Sequence, residues 1–79
     1  MAKSLHTREY EHFRTLLLAA REAAGLTQSE VAARVGQQQS FVAKYEGGER
    51  RLDVIEFVRV AKALNADPHE ILRALLDRC

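Results

Sequence analysis

Near the start of the chain the apolar residues recur at three- and four-residue steps: Tyr10, Phe13, Leu17, Ala20 and Ala24. That spacing lays them along one stripe of a helix and predicts a first helix over about 7–24. Gly25 ends it, as a residue that tolerates positive φ can. The next apolar stretch opens on T-Q-S-E. Thr27 can cap a helix there, and Glu30, three residues on, completes a capping box. This second helix stops at Gly36, after only about two turns. A third runs over about 39–46 and halts at Gly47 and Gly48. The fourth starts at D-V-I-E, with Asp53 and Glu56 as another cap pair, and turns Phe57, Val60, Ala61 and Leu64 inward. The fifth opens with D-P-H-E. Asp67 caps it, Pro68 takes the first helical position where a missing N–H costs nothing, and Glu70 closes the box. Ile71, Leu72, Leu75 and Leu76 follow. No useful length alternates with the period of a strand, so the pattern predicts an all-α, compact five-helix bundle forming one domain over 1–79.

Residues 27–47 meet the demands of two helices joined at a steep angle by a short turn. Backbones approach closely where the helices meet, and Ala32 is small enough for that place. Gly36, four residues later, suits a turn that needs positive φ. Val31, Val35, Val42 and Tyr45 fall on the inward positions, with Phe41 at their flank. A helix-turn-helix is therefore expected from the second and third helices.

Composition narrows the function more by exclusion than by indication. Seventy-nine residues, 47% of them apolar with a single proline, suit one small helical core rather than disorder. No run reaches the roughly 18–20 apolar residues of a membrane span. The first residues lack an apolar signal core. The one cysteine, Cys79, excludes an internal disulfide framework and agrees with a reducing cytoplasm. Twelve basic residues against eleven acidic give a net charge of +1, so a nucleic-acid partner has to be argued from local placement. Lys44, Arg50 and Arg51 do cluster, with Glu46 and Glu49 among them. His6 and His12 do not share a helix face, and His69 lacks the second histidine of a zinc-binding helix. E-G-G-E-R-R has neither the spacing nor the lysine of a phosphate loop. No side-chain pairing suggests covalent catalysis. Neither an enzyme, a metal nor a cofactor is expected.

The third helix carries the positive indication. With Val42 and Tyr45 inward, its outer face is Gln39, Ser40, Ala43 and Lys44, without an acidic side chain to repel phosphate. A glutamine amide matches the N6 and N7 pair of adenine, and lysine donates to guanine O6 and N7. Ser40 suits either kind of base, and Ala43 leaves room for a thymine methyl. A major groove about 12 Å wide admits such a helix by its N-terminal end, where the glutamines lie.

R-E-A-A-G-L-T-Q-S-E-V-A-A-R-V-G, followed by S-F-V-A-K-Y-E-G-G-E-R-R and A-K-A-L, resembles the XRE-type, lambda-repressor-like helix-turn-helix family of bacterial and phage regulators. The likeness spans about 13–76 and leaves an N-terminal extension, 1–12, outside it. It implies a five-helix domain that binds double-stranded operator DNA, usually as a two-fold dimer, in the cytoplasm at the nucleoid. By position, it implies that Gln39, Ser40 and Lys44 face bases, with Gln38 and Ala43 at the margin. Gln28 is implied to donate to a phosphate, and Arg50 and Arg51 to lie along the backbone or the adjacent minor groove. Arg21 and Glu46 match a structural ion pair, whose formation would leave Lys44, Arg50 and Arg51 to set the local field. Gln38 stands where the family often has a serine or threonine cap, so that cap is expected to be weaker. Leu18 stands at an often basic position.

The apolar residues of the fifth helix exceed the stripe one core needs. Leu72 or Leu75, beside Val54 and Val58, is thus expected to meet a second copy in a homodimer. Two other readings stay open: a protein-interaction or antitoxin-like module on the same fold, and a small metal or ligand sensor, for which no ligand cluster is present.

Overall fold

The structure, a computed structural model, describes residues 7–78. The first six residues of the extension, His6 included, and Cys79 lie outside the described residues. Five helices follow in order: α1 (Arg8–Ala24), α2 (Gln28–Val35), α3 (Gln39–Gly47), α4 (Val54–Ala63) and α5 (Pro68–Arg78). No strand occurs among the described residues, and the architecture is the all-α bundle that the periodicity predicts.

Most helix ends form for the reasons the sequence offers. Thr7 caps α1 by accepting from the Tyr10 N–H. Thr27 and Glu30 close a capping box at α2, and Asp53 and Glu56 close another at α4. Its bonds with Thr27 hold the Glu30 carboxyl below the usual carboxylate range. Gly36 ends α2 at φ 72°, in the left-handed region where a Cβ is strained. At α5 the expectation fails in detail. Asp67 accepts from the His69 N–H at 2.9 Å, one residue earlier than a capping box requires, and Glu70 turns to Arg73 instead. Pro68 and the exposed His69 ring draw Asp67 into a tighter local turn, since the ring nitrogen also lies 3.1 Å from the same carboxylate oxygen.

The core runs through all five helices. Tyr10, Phe13 and Leu17 from α1 meet Val31 and Ala32 from α2, Val42 and Tyr45 from α3, Phe57, Val60, Ala61 and Ala63 from α4, Leu64 beyond it, and Ile71 from α5. Val35 and Phe41 pack against this cluster from its edge. Burial of Tyr45 pushes its hydroxyl pKa upward, so the side chain stays neutral. Three residues of the apolar stripes, Ala24, Leu72 and Leu76, are not core. Ala24 is exposed on the rim of a shallow hollow shared with Leu64, Asn65 and Ala66. Leu76 is 70% exposed, because only one side of the terminal helix has a neighbour. Leu18, at the often basic position, is half-buried.

Candidate nucleic-acid interface

The outer face of α3 forms because Val42 and Tyr45 are drawn into the core at 0% and 1% exposure. That rotation leaves Gln38, Gln39, Ser40 and Lys44 exposed, with Ala43 half-buried beside them. The first turn of α3 holds no acidic residue. Gln38 occupies the N-cap with extended backbone, and its side chain makes no capping bond. Backbone N–H groups at the start of α3 therefore lack a side-chain cap, and the helix dipole makes that end attractive to an anion.

Behind this face lies a chain of polar contacts that joins four segments. Glu46, at the end of α3, accepts from Arg21 Nε at 2.7 Å and from Arg21 Nη2 at 3.1 Å. Arg21 also donates to the Leu26 carbonyl at 2.8 Å. The pair is well sheltered, with side-chain exposures of 15% for Arg21 and 7% for Glu46. Its hydrogen bond to Glu46 holds the Arg21 guanidinium even more firmly protonated than usual. Gln28 Nε2 donates at 2.8 Å to Glu46 Oε1, the oxygen that also accepts from Arg21 Nη2. A carboxylate accepts only, so it fixes which way round the Gln28 amide sits. Gln28 Oε1 is thereby turned to accept from Gln39 Nε2 at 2.6 Å. Gln39 keeps its own Oε1 and its second N–H outside this chain of bonds.

The predicted residues are thus brought together, with two differences in their intramolecular contacts. Gln28, expected to serve a phosphate, is bonded at both ends of its amide within the protein. It orients Gln39. Sequence reasoning missed this because positions 28 and 39 are linked only across the turn, with no periodic signal. The second difference concerns Arg50. Its guanidinium makes a two-point contact with Glu56, at 2.9 and 2.7 Å, and lies over the Phe41 ring 4.9 Å from its centroid. Arg50 is therefore no isolated cation. Arg50 in turn pulls the Glu56 carboxyl down to about 2, with help from the Asp53 backbone N–H. Arg51 lies over the Tyr10 ring at 4.6 Å. The Tyr10 hydroxyl accepts from the Leu52 N–H at 3.0 Å and donates to the Arg50 carbonyl at 3.4 Å. Arg14 donates to the Glu46 carbonyl. A Cβ on Gly48, itself at φ 85°, would meet that guanidinium at 3.2 Å. Helix α1 thus clips the whole α3–α4 loop.

In a groove that Arg51 also lines, Val54 and Leu72 are 73% and 42% exposed. The groove is apolar, and its floor includes Phe13, Phe57 and Leu75. Val58 and Leu75, the other two residues expected at a partner surface, lean on the core. Ile55, 61% exposed, was not singled out by its pattern. No group of three or more metal-ligating side chains is assembled among the described residues, and none of their helices is long and apolar enough to cross a membrane.

A family model described as helix-turn-helix matches residues 17–71. An XRE-family like protein from Pseudomonas syringae pv. tomato str. DC3000 superimposes with a TM-score of 0.86 at 50% identity, over 89% of this chain and 85% of that one. The restriction-modification controller protein C.AhdI from Aeromonas hydrophila does so with a TM-score of 0.75 at 29% identity, over 82% and 98% of the two chains. The tetramer of the controller protein C.Esp1396I, in complex with its natural 35 base-pair operator, shares the fold at a TM-score of 0.81 and 15% identity, over 91% and 95%. No curated protein matches the chain significantly.

Proposed function

The chain belongs to the XRE-type helix-turn-helix family, and from that premise we propose that it is a DNA-binding transcription regulator, repressor-like, reading operator DNA in the major groove with α3. The observation that carries this reading is the α3 face itself. It is exposed, free of acid in its first turn, uncapped by side chain at its N-terminus, and provided with an amide held in one orientation. Gln39, Ser40 and Lys44 read base edges, and Gln38 and Ala43 border them. Gln28 holds Gln39 and presents its remaining N–H toward the backbone. Arg50 and Arg51 contribute to the phosphate contact.

A homodimer follows from the same reading. Val54 and Leu72 flank an apolar groove that a second copy would cover. A two-fold dimer would place half-sites about 34 Å apart, one turn of the duplex.

Selection of bound sites from random duplex DNA at fixed salt, repeated with Gln39→Ala, Lys44→Ala, tests the proposal. The expected result is a palindromic motif that degrades at particular positions in the variant, with about 1–3 kcal/mol of discrimination lost per contact. No enriched motif, with both proteins equally weak, would point to a protein target for the same fold.

A further inference from the structure

Arg59 stands at the junction of two adjoining surface hollows. One is bordered by Val35, Gln37, Phe41 and Glu56, beside the turn between α2 and α3. The other continues past Arg59 to Arg34 and Lys62, and no acidic residue lines it. Arg59 and Lys62 are exposed and three residues apart, hence on one face of α4. Neither makes an ion pair among the described residues. The acid nearest to Arg59 in effect, Glu56, is already held by Arg50 at 2.7 Å. Arg34 donates to the Ala63 carbonyl at 2.9 Å, which fixes its guanidinium at the edge of the hollow.

This is a basic strip in a protein whose overall charge is only +1. It is continuous, through Val35 and Arg59, with the turn that leads into the recognition face. A helix that enters the major groove by its N-terminal end brings that turn toward the strand edge, and the strip lies next along the surface. Cations that make no ion pair among the described residues, spread along an open hollow, suit a row of phosphates, each neutralised with release of counterions.

We propose that Arg59 and Lys62, with Arg34 as the fixed edge, carry the DNA contact beyond α3 and the α3–α4 loop onto phosphates flanking each half-site. The inference rests on the DNA-binding reading above and adds to it a longer, sequence-independent footprint.

Two duplexes distinguish it: one trimmed to the selected motif, the other with about one helical turn, some ten base pairs, added at each end. Binding by the full chain is measured from 50 to 200 mM salt, for wild type and for Arg59→Ala, Lys62→Ala. Arg34 is left in place because it serves α4, and a thermal melt confirms that the variant folds. On the long duplex the variant dimer lacks four cations, two per copy, so its salt slope should fall by about three to four and its affinity loss across that range should be smaller by roughly a hundredfold. On the trimmed duplex the two proteins should agree, and the selected motif should not change. Equal slopes on the long duplex overturn the inference and leave the strip to some other anionic surface, such as an acidic protein. The base-reading proposal then still stands on the shared motif, whereas a wild type that enriches no motif removes that proposal itself.

Discussion

Helices α3 and α5 are both short, each buries one side, and what they leave to solvent differs in kind. On α3 the exposed residues are amides, a hydroxyl and a lysine, and behind them stands a sheltered ion pair that orients one amide through another. On α5, with the start of α4, the exposed residues include the large apolar side chains Leu72, Leu76, Val54 and Ile55 among charged ones such as Glu70, Arg73 and Asp77. A hydrogen-bonding face gains by direction and loses if its groups rotate freely. An apolar face gains by area alone and tolerates looser placement. The difference teaches that the molecule invests its rigidity where a partner must be read and leaves area where a partner need only be covered.

Breaking the scaffold behind α3 should have the largest effect. Arg21→Ala leaves Glu46 nearly buried with Gln28 as its remaining side-chain partner, and should lower the unfolding free energy by about 3 kcal/mol. Urea denaturation measures it, and a loss below about 0.5 kcal/mol, the range of ordinary surface substitutions, would show that α3 does not lean on the pair. Next comes the apolar side. Leu72→Asp should raise the dimer dissociation constant by at least tenfold, about 1.4 kcal/mol, as read by sedimentation equilibrium, while the melting temperature of the monomer barely moves. A wild type that stays monomeric at high micromolar concentration would dissolve the contrast between the two faces.

Smaller effects sharpen the electrostatic side of the comparison. Arg51→Ala should flatten the salt dependence of binding by about one unit of slope per copy, about two for the dimer, without altering the preferred sequence. A changed sequence preference would instead place Arg51 among the base-reading residues. The smallest effect concerns Glu56. Its carboxyl titrates near 2 in the folded protein, against an ordinary value of 4.5. A folded pKa below the unfolded one stabilises fully above the unfolded value and loses that contribution as pH falls through the folded value. Wild-type stability should therefore fall more steeply than that of Glu56→Gln between about pH 4.5 and 2. Parallel acid-unfolding curves would show that the Arg50 contact adds nothing.

What could be read in advance follows the range of each interaction. The two capping boxes at Thr27 and Asp53, the left-handed glycine at 36 and the inward placing of Val31, Val42, Phe57 and Val60 all depend on residues within one or two turns of each other. The polar composition of the α3 face was legible too, because it is the complement of those inward positions. Gln38 as an N-cap without a capping side chain follows from its residue type. The Arg21–Glu46 pair could be expected only from a family likeness, since 25 residues separate its members.

By itself, then, the sequence determined where each helix begins and ends, which stripe each one buries, and which residues form the exposed face of α3. Helical periodicity and capping are local, and the hydrophobic stripe needs no knowledge of its neighbour. Only the tertiary structure decided that Gln28 serves Gln39, that Arg50 is bound to Glu56 over Phe41, that Tyr10 from α1 clips the loop after α3, and that Leu76 faces water while Leu75 does not. Each of these depends on the angle and distance at which two separate segments pack. That geometry is set by the whole core at once, and no window of the chain contains it.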